Sequence, residues 1–489
     1  MRGEGLYDRV PVFLQNVAVS LKGWEFHRQR YLSESFRYGL RWTKENEQRS
    51  PEFLRQLQME QLRAFAAHCY ERSPYYRRLW DSKGVTPGDL RRLEDLPCVP
   101  IIRKEDVRAH TEEFFTEKIS PRMTEVHTSG TTGSPMAVYF SKEDVGLRSA
   151  FLERCRRWAG VHVGQKRASF TGRNVVPARQ KKPPYWRYNR PGNQLLFSAY
   201  HLAPENLPGY VEALAKFQPE IIDGYPSAIH IVAEYVLRQG KGGIVHPAAI
   251  LVSAETVLPH QRRAIETAFQ TKLYNQYASS DGAPFVSECR FGRLHYQLDS
   301  GVIEILNPDG TPSAPGQVGE MVVTCFTTHV TPFLRLAIGD AAVAAPSNAS
   351  CACGLPFPLV AAIIGRVDDI LQTPDRGFVG RLDTAFKALP NSVVEAQILQ
   401  VSPETIVLKI VPDPLRYESG HAELVVRELR KRLGSVVDIV VEEVSSIPRS
   451  AGGKMRPVVN LCRDRLPQAL RYSEPEVAAV EAPEGEHKS

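Results

Sequence analysis

The chain has 489 residues, a formal charge of only +6, 43% hydrophobic and 24% charged residues. These values fit a globular protein with a large core, predict about three domains, and lack the concentrated positive charge of a nucleic-acid binder. No apolar run approaches the ~20 residues needed to cross a bilayer.

The longest early apolar run, Val10 to Leu21, is interrupted by Gln15, Asn16 and Ser20 and lacks a small-residue cleavage site. No signal peptide is therefore expected, and a cytoplasmic enzyme is the default expectation, with its eight cysteines reduced. Pro51 to Trp80 reads as mainly helix, with Leu54, Leu57, Leu62, Phe65 and Cys69 on one side. Ser73-Pro74 should interrupt it, because the residue before proline avoids the α region.

From about Glu220 the pattern alternates. Ile221-Ile222 and Ala249 to Ser253 read as strands, Ala228 to Leu237 and His260 to Phe269 as helices, and Lys272 to Tyr277 as a further strand. Such alternation predicts a parallel sheet with helical crossovers, whose ligands sit at the carboxyl ends of the strands. Ser253-Ala254-Glu255 and Tyr277 to Asp281 fall at such ends. Gly301 to Glu320 is rich in turn residues and precedes a short strand at Met321 to Thr324, which reads as a smaller β-rich subdomain. After Asp369, the strands Thr405 to Val411 and Val436 to Val441 and a helix from about Ala422 to Leu433 predict a compact α+β unit. Ser473 to Ser489, with almost no large apolar residue, has the composition of a disordered tail.

The loop Thr128-Ser129-Gly130-Thr131-Thr132-Gly133-Ser134-Pro135 concentrates hydroxyls and glycines where no bulky side chain intervenes. Glycine permits convergence of backbone N–H groups on an anion, and the hydroxyls add donors that can follow a phosphate. A polar surface turn is the alternative. No Lys-Ser or Lys-Thr pair follows Gly133, so an ordinary P-loop NTPase is not expected.

Four further segments follow: Tyr277-Ala278-Ser279-Ser280-Asp281, Gly339-Asp340, Gly365-Arg366-Val367-Asp368-Asp369 and Gly453-Lys454-Met455-Arg456. In this order the five segments resemble the core motifs of the adenylate-forming enzymes. The subgroup most resembled is the phenylacetate–CoA ligases and their capsule-gene-associated relatives, with Cys351-Ala352-Cys353-Gly354 and Ser73-Pro74-Tyr75-Tyr76-Arg77 in support. The resemblance spans about Pro51 to Pro457.

It implies an α/β fold. A large N-terminal domain (residues 1–365) would combine parallel-sheet layers with the β-rich subdomain, followed by a mobile α+β lid (366–472) and the tail (473–489). It also implies an ATP-dependent, AMP-forming ligase acting on an aromatic carboxylic acid. Residues 128–133 would hold the β- and γ-phosphates, with Thr131 among the catalytic hydroxyls. Lys454 would bridge the carboxylate and the α-phosphate; a solvated loop lysine is the alternative. Asp340 would bind the ribose hydroxyls, Arg366 the ribose or phosphate, and Asp368 or Asp369 would serve as the hinge. Tyr277, with Ala278, Ser279 and Ser280, would flank the adenine opposite Ser253, Ala254 and Glu255. Asp281 stands where the family usually carries the Mg²⁺-associated glutamate, one methylene longer. Tyr200, His201, Tyr225, Ala283 and Pro284 are the acid-pocket candidates. Coenzyme A is the first acceptor, an amine or hydroxyl of a second small molecule the alternative, and a catalytically silent zinc-stabilised binding protein the reading from another class. Neither a nucleic-acid nor a membrane partner is expected, and a homodimer is left open.

Cys289 and His295, with Cys351 and Cys353, make a Cys3His set suited to closed tetrahedral, structural zinc; three unrelated thiols and a surface histidine are the alternative. The run Arg173, Arg179, Lys181, Lys182, Arg187 and Arg190, interleaved with Tyr185, Trp186 and Tyr188, reads as a lid or acceptor-binding loop or as a solvated loop.

Overall fold

The computed structural model describes residues 7–462 except 128–135, 174, 178–179, 256, 258, 280, 367–370, 375–376, 380–391, 413–416, 419, 446 and 448–457. The chain begins with helices at Val12–Tyr31, Glu34–Asn46 and Pro51–Arg72. Ser50 caps the third by accepting a hydrogen bond from the Phe53 N–H, and Pro51 occupies the first turn, where its missing donor costs nothing. That helix stops where the sequence predicts. Ser73 is extended (φ −98°, ψ 117°) and caps the following helix, Pro74–Asp81.

The strands, in chain order, are β1 (Ile102–Arg103), β2 (Thr124–His127), β3 (Ala137–Phe140), β4 (Arg167–Thr171), β5 (Trp186–Asn189), β6 (Gln194–Ser198), β7 (Ile221–Gly224), β8 (Ala249–Val252), β9 (Leu273–Tyr277), β10 (Val286–Glu288) and β11 (Leu294–Tyr296). They continue with β12 (Gly301–Leu306), β13 (Val318–Cys325), β14 (Leu336–Ala344), β15 (Leu359–Arg366), β16 (Leu371–Thr373), β17 (Gly377–Val379), β18 (Val393–Ser402), β19 (Thr405–Pro412), β20 (Asp438–Glu443) and β21 (Val458–Asn460). One hydrogen-bonded path runs β12-β13-β14-β15-β11-β10-β9-β8-β7-β4-β6-β5, with β1 added beside β14.

Strands β6, β4, β7, β8 and β9 are mutually parallel. Helices Pro226–Arg238 and Pro259–Phe269 make the crossovers that the alternating pattern predicts. All four residues of β8 are buried, as a strand covered on both faces requires. The β-rich part from Gly301 onward joins this layer by antiparallel pairing through β15, β11 and β10, so both parts share one path. Three of the cores match this arrangement. One lies under the N-terminal helices and β12–β15, one around the parallel strands, and one entirely within residues 371–458. In the third, helix His421–Leu433 covers the four-stranded sheet β20-β19-β18-β21.

The basic run corrects one expectation. Lys181 and Lys182 are exposed, but Arg187 is fully buried on β5. Its guanidinium donates to Gln15 Oε1 at 2.6 Å, Gln180 Oε1 at 2.7 Å and the Pro184 carbonyl at 2.9 Å. Tyr185 is buried and stacks on His201, with ring centroids 5.2 Å apart. This part of the run braces the fold; it is neither a solvated loop nor a lid.

Candidate active site and metal centre

The carboxyl ends of β6, β7, β8 and β9 present the segments that the sequence singles out. Just after β6, the turn Ala199–His201 carries Tyr200 and His201, and His201 Nδ1 lies 2.7 Å from Ser198 Oγ. After β7, the Tyr225 N–H donates to the Phe170 carbonyl at 2.8 Å. Gly224 makes this approach feasible, since its φ is +138° and a Cβ there would collide with the Phe170 carbonyl. After β8, Ala254 adopts φ +70°, and the Glu255 carboxylate accepts from the Ser227 N–H at 3.1 Å. That N–H is in the first turn of helix Pro226–Arg238, where an anion is favoured.

Tyr277 ends β9, and its hydroxyl donates to Asp340 Oδ2 at 2.7 Å. Asp340 on β14 lies directly across from Arg366 on β15 in the antiparallel register. Three residues from three separate motifs therefore meet at one point of the sheet. Ser279 Oγ accepts from the N–H groups of Asp281 and Ala283 at 3.1 and 3.4 Å, closing the turn after Ala278. Ala283 and Pro284, offered as acid-pocket residues, are both buried, Ala283 within the N-terminal core.

Asp281 is buried, and its Oδ2 lies 2.6 Å from Lys104 Nζ; the two side chains are 6% and 12% exposed. Lys104 is the first residue of the short helix Lys104–Ala109, directly after β1. That is an unfavourable place for a cation beside the helix dipole unless an anion faces it. A second cation closes over the same turn. Arg148 donates to the Gly282 carbonyl and Thr327 Oγ1, both at 2.8 Å. Burial draws its guanidinium down to about 10.

Beside it, Asp144 accepts from the His329 N–H at 3.1 Å and lies 2.6 Å from His329 Nδ1. Burial opposes the imidazolium, but the Asp144 hydrogen bond and charge outweigh it and raise His329 above its ordinary value. No family motif marks Lys104, Arg148 or His329. The Ser141-x-x-Asp144 capping box was the one legible signal, and it announces a helix start, not an ion pair.

The four predicted metal donors do come together: the ligand atoms of Cys289, His295, Cys351 and Cys353 lie within 4.8 Å of one another. Cys289 Sγ is 3.7 Å from Cys351 Sγ, and Cys353 Sγ is 3.2 Å from His295 Nε2. Tetrahedral zinc with ordinary bond lengths would space two sulfurs about 3.8 Å apart. The local chemistry suits a metal. The N–H groups of Phe291 and Leu355 donate to the sulfurs two residues before them, each at 3.4 Å. His295 Nδ1 is 2.8 Å from the Phe357 carbonyl, which fixes the tautomer with Nε2 facing the thiols. Burial holds His295 below its ordinary pKa, in the neutral form a ligand needs.

Some expected site residues lie outside the described residues: Thr128, Ser129, Gly130, Thr131, Thr132, Gly133, Ser280, Asp368, Asp369 and Lys454. For Arg366 the backbone is described, and for Tyr200 likewise. Among the described residues no helix is long and apolar enough to cross a membrane.

A family model of the CapK C-terminal domain matches residues 371–461. Protein CapK of Staphylococcus aureus is 34% identical over 457 residues, covering 93% of this chain and 98% of its own. The phenylacetate-coenzyme A ligase of Thermus thermophilus is 29% identical, covering 84% and 97%. Among solved structures, a 2-hydroxyisobutyryl-CoA ligase in the postadenylation state, in complex with 2-HIB-AMP, superposes with a TM-score of 0.64. It covers 82% of this chain and 88% of its own at 20% identity, a likeness of fold.

Proposed function

The chain belongs to the adenylate-forming superfamily, in the phenylacetate–CoA ligase-like group that includes CapK, and from that premise we propose that it is an ATP-dependent, AMP-forming ligase of an aromatic carboxylic acid. The carboxylate attacks the α-phosphate of ATP, pyrophosphate leaves, and coenzyme A then displaces AMP from the acyl adenylate. The observation that carries this reading is the junction of Tyr277, Asp340 and Arg366, drawn from motifs far apart in sequence. A carboxylate so placed can accept from both ribose hydroxyls.

In this reading residues 128–133 hold the departing phosphates, Lys454 bridges the two anions, and Asp281 supports Mg²⁺. The Cys3His cluster holds a structural zinc, since four protein donors leave no open position. An amine or hydroxyl of a second small molecule is the alternative acceptor. The region after residue 371 matches the CapK C-terminal model, and CapK is more similar to this chain than the coenzyme A ligases named above.

Exchange of labelled pyrophosphate into ATP across a panel of aryl acids tests the first half-reaction. At least one acid should support exchange, and Lys454→Ala should reduce it by about 10²–10³, the usual cost of losing a preorganised transition-state contact. Thermal stability should be unchanged. Exchange with no acid, or full exchange in Lys454→Ala, would overturn the assignment. Consumption of the coenzyme A thiol then separates the two acceptors.

A further inference from the structure

The apolar run that starts the chain is folded with its polar side inward. On helix Val12–Tyr31 the buried residues are Gln15 and Gly23. Gln15 accepts from buried Arg187 at 2.6 Å. Asn16 Oδ1 accepts from the Tyr188 N–H at 2.9 Å, while Ser20 Oγ accepts from the Arg190 N–H at 3.1 Å and donates to the Tyr188 carbonyl at 3.3 Å. These contacts have a reason. β5 is the last strand of the sheet path, and an edge strand carries unpaired backbone groups that something must satisfy. Asn16 and Ser20 do so, while Gln15 accepts from the β5 side chain of Arg187.

The opposite face is therefore apolar and turned to solvent. Phe13, Val17, Leu21 and Trp24 follow at spacings of four, four and three, and are 64%, 51%, 69% and 52% exposed. That spacing is a single stripe of an α-helix. Among monomeric proteins a contiguous stripe of this kind marks an interaction surface.

Two considerations select the occupant. A 20-residue helix is about 30 Å long and 10 Å wide, so its outer face offers roughly 300 Å². A stable protein interface takes about 800 Å² from each partner, so a second copy seated on this face alone would bury too little. The second is charge. The helix carries Lys22, Arg28 and Arg30 against a single acid, Glu25, which pairs with Lys22 at 2.6 Å, so its charge is net positive and a second copy would bring like net charges together. Arg28 sits over the Trp24 ring at 5.1 Å, and Lys22 and Arg30 flank Phe26 at 5.1 and 5.7 Å. Aromatic and aliphatic residues bordered by cations are the composition of a helix that lies in a lipid–water interface.

We propose that helix Val12–Tyr31 docks the protein onto an anionic phospholipid surface, lying in the plane with Phe13, Val17, Leu21 and Trp24 among the acyl-chain ends. It runs against the expectation of no membrane partner, and the test below decides between them. It concerns peripheral binding, and it is independent of the reaction proposed above.

The test is co-sedimentation of the full chain with vesicles of phosphatidylcholine alone and of phosphatidylcholine mixed with phosphatidylglycerol. Wild type should bind the anionic vesicles and bind the neutral ones weakly. The double variant V17E/L21E should bind at least about tenfold less tightly, since two apolar anchors become charged. Both side chains are exposed, so its melting temperature should match wild type. Trp24→Phe should abolish the lipid-dependent part of the fluorescence shift. Failure of wild type to bind anionic vesicles would overturn the proposal, as would equal binding by V17E/L21E. Light scattering that shows a wild-type dimer dissociated by V17E/L21E would assign the face to a second copy instead.

Discussion

Lys104→Met keeps the length of the side chain and deletes its charge, leaving the Asp281 carboxylate buried without its nearest counter-ion. At 2.6 Å and an effective dielectric of about 20, the gross attraction is about 6 kcal/mol. Desolvation of two nearly buried ions offsets most of that, so the net worth of the pair is small. Removing one partner is different, because the cost of burying the other then stands unopposed, typically about 3–5 kcal/mol. Arg148 still senses Asp281 electrostatically, which places the expectation near the lower end, about 3 kcal/mol.

The assay is a double-mutant cycle of Lys104→Met and Asp281→Asn, read by urea midpoints at unchanged slope. Each single variant should destabilise, and the double variant should recover part of the loss, with a coupling of about 2 kcal/mol. Additivity within about 0.5 kcal/mol would refute the reasoning, because contacting charges cannot behave as independent sites. The same four proteins also test Asp281 as the Mg²⁺ carboxylate. Lys104→Met frees an oxygen and should lower the half-saturating Mg²⁺ in pyrophosphate exchange, whereas Asp281→Asn should raise it. Identical Mg²⁺ dependence in all four would leave the carboxylate a role in the fold alone.

Protein purified without chelator should hold one zinc per chain by elemental analysis; Cys351→Ser should hold less than about half an equivalent and unfold at lower temperature, since metal binding to an assembled site contributes folding free energy. Unchanged zinc in that variant would remove the site. The Asp144–His329 pair predicts a pH profile. Because His329 is raised above 6.5, its contribution is complete below that value and is lost as pH rises through the higher folded value. Asp144 is lowered below 3.8 despite burial, mainly by its hydrogen bond from His329, so its own contribution is lost as pH falls through that lowered value. Relative to Asp144→Asn, wild type should therefore lose melting temperature as pH rises above about 6.5; parallel curves on that side would sink this account.

Much of this molecule was legible from periodicity and punctuation. Helix Pro226–Arg238, β8, helix Pro259–Phe269 and β9 fall within two residues of where their apolar patterns place them. Ser73-Pro74 breaks its helix because the steric rule at proline is local. The gathering of the Cys3His donors was readable for a related reason: few structural roles put Cys-x-Cys-Gly in a polar turn, so residue type alone carries information. Long-range ion pairs carry no such mark. Nothing in a single lysine after β1 announces Asp281, 177 positions later by the chain numbering. Arg187 misled for the opposite reason. Composition makes an arginine among lysines look solvated, whereas here acceptors on buried Gln15 and half-buried Gln180 hold its charge. The inward polar face of helix Val12–Tyr31 was also hidden, because amphipathic patterns are read on the assumption that the apolar side is the buried one.

The placement of the Cys3His cluster bears on the candidate site. β11, which carries His295, pairs with β10 on one side and β15 on the other. β10 leads through its register with β9 to Tyr277, and β15 leads to Arg366 opposite Asp340. A metal joining Cys289 and His295 to Cys351 and Cys353 would thus pin the hairpin and the segment entering β15 at once. These are the strands whose relative register sets the Tyr277–Asp340 hydrogen bond. Sheet register is strongly specified only where burial or a crosslink enforces it, and β11 is just three residues long. Loss of the metal should therefore loosen the nucleotide end of the sheet through register, without touching any residue there. The order of effects follows from the topology: stability falls first, and adenylate formation falls with it.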